Sequence, residues 1–173
     1  SSDLNALLKN WGVEMVEKKA VGDINLATKV NAGGGQPIDF PLWVSLRKSS
    51  DKGSEVLNHD DMTTSQIDNL LLAWPGALKL TKVEGVTSVP LLQTTSEAML
   101  FDEADYRYGG GSPDAVMAKY HRGSQVQVMG VRLTGKFKST FSAPPANDGK
   151  SAEAPAPFLS ESKAESSIVV VAD

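Results

Sequence analysis

The chain finishes on an apolar run, Ile168–Val169–Val170–Val171–Ala172, one residue before its terminal Asp173. β-Branched residues in such a row suit a buried strand of the kind found inside a parallel α/β sheet. A strand of that type feeds a loop and then a helix. Its position at the very end therefore predicts that these 173 residues are an excerpt of a larger scaffold. Upstream, residues 125–141 alternate as a long strand (Val126, Val128; Val131, Leu133) with a bend at Gly135. Between the two lies SAPPANDGKSAEAPAPFLSESKAES, residues 142–166. That composition buries too little apolar surface to offset its ordering entropy, which predicts a mobile loop. The expected organisation is a mixed α/β body over residues 1–141, a Pro/Ala/Ser-rich loop over 142–166, and a returning strand of the same domain over 167–173.

The body reads as alternating short elements. Asp3 caps a helix with Leu4, Leu7, Leu8 and Trp11 at helical spacing, ended by Gly12. Residues 13–16 alternate as a short strand, and residues 23–30 suit a brief helix or an irregular segment before the Gly33–Gly34–Gly35 break. Residues 40–46 read as a strand that Pro41 places at a sheet edge or a strand start. Asp60–Asp61 or Thr63–Thr64 can cap a short helix through Ile67 and Leu70, followed by a strand over 71–74 into the Pro75–Gly76 turn. Two more strands, 77–83 and 86–94, meet around Glu84–Gly85. Residues 97–108 mix acids and aromatics, and no single element follows from them. Ser112–Pro113 starts a helix running to about His121, with Val116, Met117 and Tyr120 toward the core.

Composition removes several functional classes. A formal charge of −4 without a basic stripe offers nothing to nucleic acid or to an anionic membrane surface. The apolar runs at 70–74 and 168–172 are far too short to span a bilayer. With no cysteine, disulfides, thiolate catalysis and Cys-ligated metal are excluded for this chain.

Each chemical motif meets a plainer explanation. Gly149–Lys150–Ser151 has the end of a phosphate loop, but Pro144 stands where the leading glycine belongs and no strand–helix pair flanks it. Gly109–Gly110–Gly111 precedes a helix and its amides suit an anion, yet it equally serves as a flexible lead into the Ser112 cap. His59 beside Asp60 and Asp61 raises a metal or hydrolase reading; with His121 as the one other histidine and no HExxH spacing, a capping loop accounts for it. Glu97, Asp102, Glu103 and Asp105 near Phe101, Tyr106 and Tyr108 suit either a glycan- or peptide-binding groove, a glycosidase cleft or a solvated acidic face.

Several segments in order carry a resemblance: DLNALLKNWGVEM, VGDINLATKV, DMTTSQIDNLLLAWPGALKL, VPLLQTTSEAM, VRLTGKFKSTF and LSESKAESSIVVVAD. Together they resemble the auxiliary component of gliding-motility-associated ABC transport systems, the GldG-like family. The resemblance implies a soluble domain fragment, with a flavodoxin-like or amidotransferase-like three-layer sheet extending beyond both ends. It implies a non-enzymatic, periplasmic domain of an inner-membrane protein, held by transmembrane helices that lie outside this chain, with ABC permease and ATPase subunits as partners. No cofactor and no metal are implied. Thr94, Thr95 and Ser96, matching the family's TS step after a strand, are binding candidates, although they also suit a cap for the next element. Tyr106 and Tyr108 are candidates for a small ligand or glycan. Strand edges left open by an excerpt also favour a homodimer.

Overall fold

The computed structural model describes residues 4–31, 35–48, 56–107, 111–141 and 158–173. Helix α1 (Leu4–Lys9) closes in a turn at Gly12, whose φ of 81° suits glycine. A Cβ there would lie 2.2 Å from the carbonyl oxygen of Thr81, so the close approach also requires the missing side chain. Strand β1 (Val13–Met15) follows, then β2 (Lys19–Gly22) and β3 (Ala27–Val30). The expected helix or irregular segment at 23–30 is thus a strand in its second half, because Thr28 and Val30 gain ladder partners on β4 (Ile38–Arg47).

β4 is flanked by β3 on one side and β5 (Asn69–Ala73) on the other, so Pro41 lies in a central strand and not at an edge. The missing N–H is tolerated because the ladder skips there, from Phe40↔Thr28 to Val44↔Ala27. The helix expected through Ile67 and Leu70 is a single turn at Asp61, whose carbonyl accepts from the amides of Thr64 and Ser65. Leu70 is drawn instead into the β4–β5 ladder opposite Leu46.

Strand β7 (Val86–Gln93) forms as read and β6 (Leu78–Leu80) is shorter than the expected 77–83, with β8 (Met99–Asp102) and the one-turn helix α2 (Glu103–Tyr106) filling the ambiguous acidic stretch. Ser112 caps helix α3 (Pro113–Lys119), accepting from the Ala115 amide at 3.3 Å. Strand β9 (Val128–Gly135) ends at Gly135, where a Cβ would meet the Gly85 carbonyl oxygen at 2.1 Å. The terminal strand is β10 (Ser166–Val171).

β9 organises the largest sheet. β7 lies along one edge, while β10 and the end of β6 share the other, with β1 outside β6. β2 pairs with β8, and β3–β4–β5 form the third sheet. The α+β class expected from the sequence is what forms, strand-rich with few helices. The terminal strand differs from expectation: β10 runs antiparallel to β9, and every described pairing is antiparallel. Helices of six, four and seven residues cannot cover the two faces that a parallel, flavodoxin-like sheet must bury. β10 is accordingly buried on one face: Ile168, Val170 and Ala172 join Leu8, Trp11, Val131 and Leu133 in one core cluster, while Val169 and Val171 are exposed. A second cluster centres on Leu46, Leu91 and Met129, and a third on Leu42, Phe101 and Val116.

Candidate functional site

Thr94 and Thr95 are joined into the framework by buried polar bonds. The fully buried Asp23 carboxylate accepts from the Asn25 amide at 2.9 Å, the Thr95 amide at 2.7 Å and the Thr95 hydroxyl at 2.8 Å. A buried carboxylate is costly unless such donors surround it, and three of them close the β2–β3 connection onto the end of β7. Thr94 Oγ1 accepts from the Gln127 amide at 2.8 Å and donates to the Thr95 carbonyl at the same distance, fixing the approach to β9. Both side chains are therefore committed to the fold, whereas Ser96 is exposed on the following turn. Tyr106 lies elsewhere, and Tyr108 falls outside the described residues.

Tyr106 lines a cleft of about 450 Å³ with Trp74, Met15, Lys18, Arg107 and Asp173. Three segments converge here: the β1–β2 turn, the corner after β5, and α2, with the end of β10 completing the wall. Trp74 is 40% exposed, a large apolar surface left in water. Its ring meets Trp43 at 5.9 Å and Phe40 at 6.2 Å, both edge-on, so an aromatic trio holds it rigid.

Trp74 (φ 52°) and Lys18 (φ 55°) are the two non-glycine residues with positive φ among those described, and both line this cleft. Left-handed backbone at a side-chain-bearing residue costs roughly 1–2 kcal/mol and persists only where the surroundings over-determine it. Bonds on either side do so: the Trp74 amide donates to Leu42 and the Pro75 carbonyl accepts from Val21. Burial raises the Tyr106 phenol above its usual value, with the Glu103 carboxylate adding to the effect.

The acidic stretch does not assemble a pair of free carboxylates. Glu97 pairs with Arg122 at 2.8 Å, Asp102 with Lys19 at 2.6 Å, Glu103 with Arg107 at 2.6 Å and Asp105 with Lys119 at 2.6 Å. The Lys119 contact holds Asp105 below the ordinary carboxylate range. These are ion pairs at the surface, with Glu97 Oε2 buried and without a hydrogen-bond partner among the described residues.

His59 and Asp61 are likewise separated in role. Asp61 binds Arg132 through Nε at 2.8 Å and Nη2 at 2.6 Å, and accepts from the Thr63 amide at 3.0 Å. The Arg132 bonds, then Thr63, hold its pKa at about 2. Both ring nitrogens of His59 are buried without a hydrogen-bond partner among the described residues, so no acid orients the imidazole. Among the described residues no three His, Asp or Glu side chains come close enough to hold a metal ion. Gly149–Lys150–Ser151 and Gly109–Gly110 lie outside the described residues.

Trp74, Lys18, Asp23 and Arg132 carry much of this geometry, and the sequence reading named none of them as site residues. Trp-Pro-Gly marked a turn, but exposure of the indole depends on how β5 and β2 meet.

Comparison with known families decides the class of this antiparallel α+β scaffold. The family model described as ABC-type uncharacterized transport system matches residues 1–173. The chain belongs to this family. It is thus an auxiliary component of an ABC-type transport system. No curated protein and no solved structure matches it. No helix among the described residues of this transport-family chain is long and apolar enough to cross a membrane.

Proposed function

We propose that this chain is a non-enzymatic, extracytoplasmic domain of a GldG-like auxiliary component, acting by docking and ligand contact beside ABC permease and ATPase subunits. The observation that carries the reading is the aromatic cleft in a chain matched to a transport family over its whole length. An exposed, strained and rigid indole is costly to keep and gains a purpose when something covers it. The ion-paired acids and the engaged Asp61 support a role without catalysis.

The test is affinity purification of the native membrane protein after mild crosslinking. Permease and ATPase subunits are expected in the eluate, and W74A combined with Y106A is expected to deplete them while leaving the circular dichroism spectrum intact. An eluate free of ABC subunits would count against the proposal. A carbohydrate- or peptide-binding module is the second reading, favoured by the same Trp74 and Tyr106 surface. A glycan array and an extended-peptide array, each repeated with W74A, separate it from protein docking; flat arrays remove it.

A further inference from the structure

A second concavity, of about 730 Å³, opens between β3, β4 and the Thr95 segment, away from the aromatic cleft. Among the described residues its wall carries three cationic side chains, Lys29, Arg47 and Lys48, and no carboxylate. In a chain with 21 acidic against 17 basic residues, such a patch runs against the overall balance. Lys29 reaches Asp39 at 3.5 Å and Lys48 reaches Asp68 at 3.9 Å; all four side chains are largely exposed, so these contacts neutralise little.

Arg47 has no acid partner among the described residues. Its Nε donates to Ser45 Oγ at 3.5 Å, and the two terminal nitrogens of the guanidinium fork have no partner among the described residues. Neutral polar groups complete the wall. Ser45 and Arg47 project to the same side of β4, as residues two apart do. Thr28 Oγ1 is buried with no hydrogen-bond partner among the described residues, a state that calls for an explanation in a folded protein. Asn25 Nδ2 donates to Thr95 Oγ1 at 3.3 Å, and Thr95 is itself held by the buried Asp23. The polar groups on that side are therefore positioned before any ligand arrives, which lowers the entropy lost on binding.

We infer that this cavity binds a small organic oxyanion, a carboxylate or phosphate on a hydroxylated body. The charged end is received by the open fork of Arg47, with Lys29 and Lys48 raising the local potential. The hydroxyls of the body meet Thr28, Ser45 and Asn25, and the unpartnered Thr28 oxygen gains its missing bond. This site is independent of the aromatic cleft, so its failure and that of the docking proposal are distinguishable.

The experiment is a titration of the isotopically labelled full chain with glucose 6-phosphate, gluconate and inorganic phosphate, with glucose as the neutral control, followed by amide NMR. At least one organic anion is expected to bind and to shift the amides of Thr28, Arg47 and Thr95; which one binds tighter distinguishes phosphate from carboxylate. R47Q is expected to weaken binding about tenfold or more, and T28V several-fold, with unchanged melting temperature. R47K retains the charge without the fork, is expected to bind more weakly than wild type, and stands in if R47Q does not fold. The inference is overturned if no anion binds, if glucose binds as well as glucose 6-phosphate, or if Arg47 variants bind like wild type.

Discussion

Replacing Asp61 with Asn isolates the charge that ties the 58–66 loop to β9. The carboxylate is 5% exposed as a residue and receives two Arg132 nitrogens and the Thr63 amide. Breaking a fully buried pair costs about 3–5 kcal/mol, and a solvated pair contributes about 0–1 kcal/mol. The Arg132 side chain retains 26% of its exposure against 2% for Asp61, which places this pair between the limits.

Titration provides a second route. The Asp61 carboxyl is lowered from 3.8 to about 2. Converted directly, that gap is at most about 2.5 kcal/mol, and water at the guanidinium screens part of it. D61N should therefore lower stability by about 2 kcal/mol at neutral pH. The sign follows from the depressed native pKa: the contribution is complete above 3.8 and is lost as pH falls toward about 2. Urea titrations followed by tryptophan fluorescence, at neutral pH and at steps through that window, measure both. The reasoning is refuted if D61N matches wild type at neutral pH, or if the gap between them is undiminished at the acidic end.

Four further substitutions probe other links. G12A should cost more than about 2 kcal/mol in the same unfolding assay, since a Cβ would sit 2.2 Å from the Thr81 oxygen at a left-handed backbone. K18G should gain about 0.5–1 kcal/mol by relieving the φ of 55°, read as a raised melting temperature; a loss would argue that Lys18 is not strained. F101A should cost about 3–5 kcal/mol, because the ring is fully buried in the third core cluster and stacks on Tyr120 at 6.5 Å. T95V should cost about 1.5–3 kcal/mol by withdrawing one donor from the buried Asp23, again by chemical denaturation.

Local signals account for much of the element list. Gly12 and Ser112–Pro113 act where their chemistry places them, at a helix end and a helix start, whereas Gly135, expected as a bend within a strand over 125–141, ends the strand. The alternation from Val128 to Leu133 reads through to β9 because one face of that strand is core. The failures share a cause. Residues 27–30 and Leu70 have weak local preferences, and pairing with β4 decided them. Pro41 argued for an edge, yet a skipped register accommodates it in a central strand. Of the candidate residues, Thr95 proved to be a structural donor that also lines a cavity, and Tyr106 entered a cleft whose principal wall, Trp74, had been read as the end of a strand.

The sequence by itself determined the α+β class, the Ser112 cap, the cysteine-free chemistry and the apolar character of the last strand, because each depends on neighbours within a few residues. Tertiary structure decided the direction of β10, the ion pairing of every acid in the 97–105 stretch, and the placing of Trp74 and Tyr106 along one cleft. Those outcomes depend on which distant segments pack together, and short-range spacing carries no record of that choice.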